Sequence, residues 1–141
     1  MIKISRLADY GLIILNFLAT EPQRCYSAAA LARHTGISLP TVSKVLKLLN
    51  DAHVIASSRG ANGGYRLLKN ANQLNVVEVI TAVDGAPALT ECCQVDNRCF
   101  HDARCALRSN WQVINRKLIE MLSQYTLADL QRPLGIDRHA Q

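Results

Sequence analysis

The stretch Ser27 to Leu68 leaves the first half of this chain few ways to fold. Ser27 stands before the alanine-rich run AAALARHT and can cap a short helix there, and Gly36 supplies the left-handed turn that ends it. Pro40 then sits in the first turn of a second helix, where its missing N–H does no harm. In that helix Val42, Val45, Leu46 and Leu49 recur at i, i+3, i+4 and i+7, a stripe that must be buried. Two helices joined by a tight turn with glycine at the bend predict a helix-turn-helix. VIASS and YRLL follow as short strand candidates around RGANGG, whose glycines and asparagine let the chain reverse tightly. A β-hairpin directly after a helix-turn-helix predicts a wing.

The outward face of the second helix offers Ser38, Thr41, Ser43, Lys44 and Lys47, residue types suited to base edges and phosphates. Arg59 at the wing tip is placed to enter a minor groove or grip a phosphate, and Arg66 and Lys69 add charge. A solvated helical face and a merely structural turn would explain the pattern without the basic residues. Charge along the chain supports the functional reading. Residues 1–70 carry nine Lys or Arg against three Asp or Glu, while residues 71–141 carry seven against eight. Positive charge confined to one half is the footprint of a polyanion-binding module.

Before this unit, Ser5 can cap a helix over about 6–19. Leu7, Tyr10, Ile14, Phe17 and Leu18 share one face, and Leu12, Ile13 and Leu15 make the rest apolar. So greasy a helix must be covered on most sides, and a second subunit is the expected cover. After the wing, Val76, Val79, Ile80 and Val83 face inward from a short helix closed by Asp84 and Gly85. A long helix is predicted from about residue 106. Leu107, Trp111, Ile114, Leu118, Met121 and Tyr125 step by 4, 3, 4, 3 and 4, the seam of a helix that pairs with another copy. Thr126 to Leu130 adds one capped turn, and the tail with Pro133 and Gly135 is expected to fray.

Between these helices four of the five cysteines, Cys92, Cys93, Cys99 and Cys105, lie within 14 residues. Gln94, Asp96, Asn97, Arg98, Asp102 and Arg104 make the segment polar, so it is no part of a core. Closely spaced thiolates on such a loop can wrap an inorganic centre, since sulfur ligands select zinc or iron–sulfur clusters. No apolar run approaches the ~20 residues of a membrane span, and Thr20 to Gln23 is no signal cleavage site. A cytoplasmic location is therefore expected, where cysteines mean metal or redox chemistry more often than a disulfide framework. An enzyme is not expected: there is no C-x-x-C, no nucleotide-binding glycine loop and no catalytic dyad. Cys25 reads as a plain small residue, and His34 and His53 as packing or surface residues.

Taken together, ISRLADYG, LPTVSKVLKLL, SRGANGGYRL, the three spaced cysteines and TLADL resemble the Rrf2 family of bacterial winged-helix regulators, nearly to Pro133. ISRLADYG, the ALTEC opening of the loop and RSNWQVIN look closest to members that regulate the SUF iron–sulfur assembly operon. The resemblance implies a homodimer, joined through the long helix and the first helix, that binds a double-stranded DNA operator and carries an iron–sulfur cluster, two-iron in preference to four-iron. It implies Cys99 and Cys105 as ligands, with Cys93 preserving the spacing of the IscR-like and NsrR-like members and Cys92 matching the SUF-type position. IscR-like members have a histidine three residues after the last cysteine, but Arg108 stands there in this chain. NsrR-like members use an aspartate near the first helix, donated by the partner subunit, so Asp9 is the candidate fourth ligand and His101 the second choice.

The expected class is mostly α with a small β-hairpin wing. A winged helix-turn-helix would occupy 1–84, the cysteine loop 85–105, a dimerisation helix 106–131 and a flexible tail 132–141. The expected function is transcriptional regulation, as a repressor of iron–sulfur assembly genes, with cluster state controlling DNA binding. Nitric-oxide or redox sensing, and DNA binding with a structural zinc, are the alternatives left open.

Overall fold

A computed structural model of the chain describes residues 3–96, 99–101 and 104–134. Asn97, Arg98 and Asp102 of the polar loop and the tail after Leu134 lie outside the described residues. Helices α1 (Arg6–Leu18), α2 (Ala28–Thr35) and α3 (Leu39–Asp51) precede strands β1 (Ile55–Ser58) and β2 (Gly64–Leu67). Helices α4 (Val76–Asp84), α5 (Arg108–Ser123) and α6 (Leu127–Leu130) follow. The mostly helical chain with its one hairpin is the expected architecture, and no described helix is long and apolar enough to cross a membrane.

Local chemistry sets the ends of these helices. Ser5 accepts a hydrogen bond from the Ala8 N–H at 3.1 Å and donates to Asp84 Oδ1 at 2.7 Å, so one hydroxyl caps α1 and ties it to the end of α4. Ser27 caps α2 through the Ala30 N–H at 3.1 Å, and Gly36 ends it with φ of 71°, a conformation that costs a residue with a Cβ.

The core lies where α1, α3 and α4 meet. Ile14, Leu15 and Leu18 of α1 pack with Leu31 of α2 and with Val42, Val45, Leu46 and Leu49 of α3; Val79, Ile55 and Leu67 belong to the same cluster. Each fully buried leucine contributes roughly 1.5–3 kcal/mol relative to exposure. The predicted stripe on α3 is buried as a whole. Its own chain buries one face of α1, namely Ala8, Gly11, Ile14, Leu15 and Leu18. Asp9 and Ile13 remain on its exposed face.

The hairpin pairs antiparallel, with Ile55 opposite Leu67 and Ser58 opposite Gly64. Tyr26, ahead of α2, exchanges two backbone hydrogen bonds with Tyr65 at 3.0 and 2.9 Å and adds a one-residue third strand. Gly64 is required by this approach: a Cβ there would stand 2.7 Å from the Tyr26 carbonyl, at a φ of +149°.

Helix α5 begins at Arg108, two residues later than expected, because residues 106 and 107 form a turn before it. Its only buried residue is Asn115, while Trp111, Ile114, Met121 and Tyr125 of the predicted seam are exposed. The chain then returns to the first unit. Leu127 is 1% exposed within the main core, its N–H donates to the Leu74 carbonyl at 2.8 Å, and Val76 N–H donates to the Tyr125 carbonyl at 2.9 Å. Thr126 and Asp129 cap α6 reciprocally, and bonds from the Thr126 backbone and then its hydroxyl hold the Asp129 carboxyl below its usual range.

Candidate functional site

The helix-turn-helix and wing present the basic residues that the sequence singles out. Burial of Val42, Val45, Leu46 and Leu49 turns the opposite side of α3 outward, and Ser38, Ser43, Lys44 and Lys47 are exposed there, with Thr41 half-buried. Ser38 does not cap the backbone of α3; its hydroxyl is 2.8 Å from that of Thr41. Arg59 lies exposed at the hairpin turn. Arg66 is exposed on β2, where alternation puts its buried neighbour Leu67 on the core side.

The two ion pairs among the described residues are Arg24 with Glu21 at 3.1 Å and Lys69 with Glu78 at 3.2 Å. Lys69 therefore adds little to the wing's charge, because its ammonium rests on a carboxylate of α4. Lys44, Lys47, Arg59 and Arg66 stand in neither pair and face solvent, a surface able to displace counterions from a polyanion.

Aromatic packing fixes α2 against the end of α1. Phe17 stacks on His34 with centroids 4.6 Å apart, Tyr26 meets Phe17 edge-on at 5.0 Å, and Arg24 lies 4.9 Å over the Tyr26 ring. The Arg24 hydrogen bond, and next one to Tyr26, lowers the Glu21 carboxyl below its usual range, while desolvation pushes the Tyr26 phenol up. His34 thus has the packing role expected of it.

The cysteine loop is anchored by residues that the sequence reading did not single out. Asn115 accepts from the Leu89 N–H at 2.9 Å through Oδ1 and donates to the Pro87 carbonyl at 3.3 Å through Nδ2. One turn earlier, Gln112 Nε2 donates to the Cys92 carbonyl at 3.4 Å. Asn115 stands before Arg116 and Lys117, so its local sequence carries no signal of burial; once buried, such a group must find partners. The Thr90 hydroxyl lies 3.1 Å from Cys92 Sγ and 3.3 Å from Cys93 Sγ, both on the short turn Glu91–Cys93.

Cys92 is buried; Cys93, Cys99 and Cys105 are half-buried, and all are free thiols. Cys105 lies just before α5, its carbonyl accepting from the Arg108 N–H at 3.4 Å. His101 is exposed and lies edge-on to Phe100 at 5.4 Å, and Asp9 stands in the first turn of α1. Among the described residues, no three Cys, His, Asp or Glu side chains come close enough to hold one metal ion. The fit to an iron–sulfur centre is thus one of donor chemistry. Three free thiols and a fourth in reserve are carried on a loop tied at one end to α5, rather than in a preformed cage.

Residues 4–133 match the sequence profile of the Rrf2 family, described as an iron-dependent transcriptional regulator. The chain is 30% identical to the protein Rrf2 of Nitratidesulfovibrio vulgaris, over 95% of this chain and 90% of that one. It is 32% identical to the transcriptional regulator IscR of Vibrio vulnificus, over 91% of this chain and 76% of that one. Against other IscR proteins the aligned part is about six tenths of their length. Among solved structures, CymR of B. subtilis, titled a global cysteine regulator, matches with a TM-score of 0.72 at 26% identity, over 93% of this chain and 97% of that one.

Proposed function

The chain belongs to the Rrf2 family of transcriptional regulators, and from that premise we propose that it is a cytoplasmic, homodimeric repressor of iron–sulfur assembly genes whose operator binding follows the state of an iron–sulfur cluster. The observation that carries this reading is the set of free thiols on a segment hydrogen-bonded to α5 through Gln112 and Asn115. Cys99, Cys105 and one of Cys93 and Cys92 would hold the group, a two-iron cluster in preference to a four-iron one. Asp9 of the partner subunit would complete the site, with His101 as the alternative. Such a group supplies a cross-link between loop and helix that oxidation or nitric oxide can break.

The rest is mechanics of this chain. Asn115 and Gln112 couple the loop to α5, whose exposed seam of Trp111, Ile114 and Met121, continued by Tyr125 just past its end, is the surface offered to a second copy. Two reading units set by that pairing address half-sites about 34 Å apart, so a small change in their relation changes affinity. Ser38, Thr41, Ser43, Lys44 and Lys47 would meet the major groove, and Arg59 and Arg66 the flanking backbone or minor groove. A loop that prefers one dimer arrangement when bound, by roughly 1–3 kcal/mol of coupling, suffices for regulation.

The test is the absorbance spectrum and the iron and sulfide content of anaerobically isolated protein, coupled to operator binding before and after cluster loss. A coloured protein whose DNA affinity changes about fivefold or more on losing its iron supports the reading. Colourless, iron-free protein that still binds DNA under control would overturn it, and stoichiometric zinc would replace it with a structural metal site.

A further inference from the structure

The proposed function leaves the first ligand open between Cys92 and Cys93, and the structure places both sulfurs beside one hydroxyl. Both hang from the turn Glu91–Cys93, and the single Thr90 hydroxyl touches Cys92 Sγ at 3.1 Å and Cys93 Sγ at 3.3 Å. One oxygen in contact with two sulfurs puts both on the same side of the turn. Backbone contacts hold them there: Cys93 N–H donates to the Thr90 carbonyl at 3.0 Å, and Gln112 grips the Cys92 carbonyl. The two thiols differ in cover, Cys92 being 9% exposed and Cys93 half-buried.

We propose that Cys92 and Cys93 are interchangeable first ligands of the centre, and that Thr90 is the positioning residue that supports whichever sulfur is bound. The inference rests on the cluster reading above. The two cysteines stand seven and six residues before Cys99. One residue of extended chain spans about 3.5 Å, and Gln94, Val95 and Asp96 are exposed, with room to take up that difference. A hydroxyl has one hydrogen to donate and lone pairs to spare. Thr90 therefore backs one anionic sulfur at a time while staying in contact with the other. Hydrogen bonds to a ligating sulfur tune how firmly it holds and how the centre responds to oxidants.

The experiment uses the full-length chain, reconstituted anaerobically with ferrous iron and sulfide, as wild type and as C92A, C93A and the double variant. Iron and sulfide content and the visible spectrum are read, with apo-protein melting as the control for folding. Each single variant is expected to keep most of the wild-type iron and sulfide, and the double variant to lose them. Thr90→Val should leave the apo melt unchanged but release iron to a chelator about tenfold faster, and Thr90→Ser should restore the slower rate. If one single variant is empty and the other full, the first ligand is unique and the interchange is wrong. If both are empty, the two sulfurs act together and it is equally wrong. A Thr90→Val variant that behaves as wild type removes Thr90 from the site. Wild-type protein that takes up no iron or sulfide refutes the cluster reading itself, whereas a failure confined to the variants refutes only this inference.

Discussion

Replacing Asn115 with leucine removes the anchor of the cysteine loop while keeping the number and branching of the side-chain heavy atoms. Asn115 is 7% exposed, and its amide serves the Leu89 N–H at 2.9 Å and the Pro87 carbonyl at 3.3 Å. Each neutral hydrogen bond is worth about 1 kcal/mol, and a buried donor left without a partner costs roughly 1–3 kcal/mol more. Leu89 and Pro87 are half-buried, so water recovers part of that penalty, and a net loss of about 2 kcal/mol is expected. Because 1.4 kcal/mol is a factor of ten, the Leu89 amide should exchange with solvent about thirtyfold faster. If loop and core unfold together, the melting temperature falls by about 7 °C as well. Hydrogen exchange read at Leu89 and thermal unfolding at fixed protein concentration check both outcomes. Unchanged Leu89 protection alongside an unchanged melt would show that α5 does not hold the loop through this side chain.

Gly64→Ala should destabilise the wing by about 2–4 kcal/mol, since its Cβ meets the Tyr26 backbone at a positive φ; denaturant unfolding measures this. Lys44→Ala and Arg59→Ala should each weaken DNA binding similarly across sequences and lower the slope of log affinity against log salt by about one, as read by fluorescence anisotropy. Ile114→Glu puts a charge on the exposed seam of α5 and should shift the protein from dimer to monomer in sedimentation, with little change in helix content. Asp129 has its carboxyl held below its ordinary 3.8 by the Thr126 backbone and hydroxyl. The stability it contributes is present above that value and fades as pH falls through the lowered one, so Asp129→Asn should flatten the acid side of a melting-temperature profile.

The parts of the candidate site legible in the sequence are those governed by local rules. Capping by Ser27, the turn at Gly36, the stripe on α3 and the glycines around Arg59 depend on neighbours a few residues away, so their pattern survives reading along the chain. Gln112 and Asn115 were passed over because their partners lie elsewhere: Asn115 finds Leu89 26 residues upstream, and Gln112 finds Cys92 20 residues upstream. Lys69 was credited to the wing for a similar reason, since Glu78, which neutralises it, faces it only after α4 has folded back.

By itself, then, the order of residues determined the winged helix-turn-helix, its basic outer face and the store of loop thiols, for periodicity and capping act over a turn or two of backbone. Tertiary structure decided which face of α1 its own chain buries, and the return of Leu127 to the core beside Leu74. It also decided that Lys69 rests on Glu78 and that Asn115 and Gln112 of α5 grip the cysteine loop. Such contacts join residues that are distant in the chain, and no local pattern encodes a distance that exists only once the helices have packed.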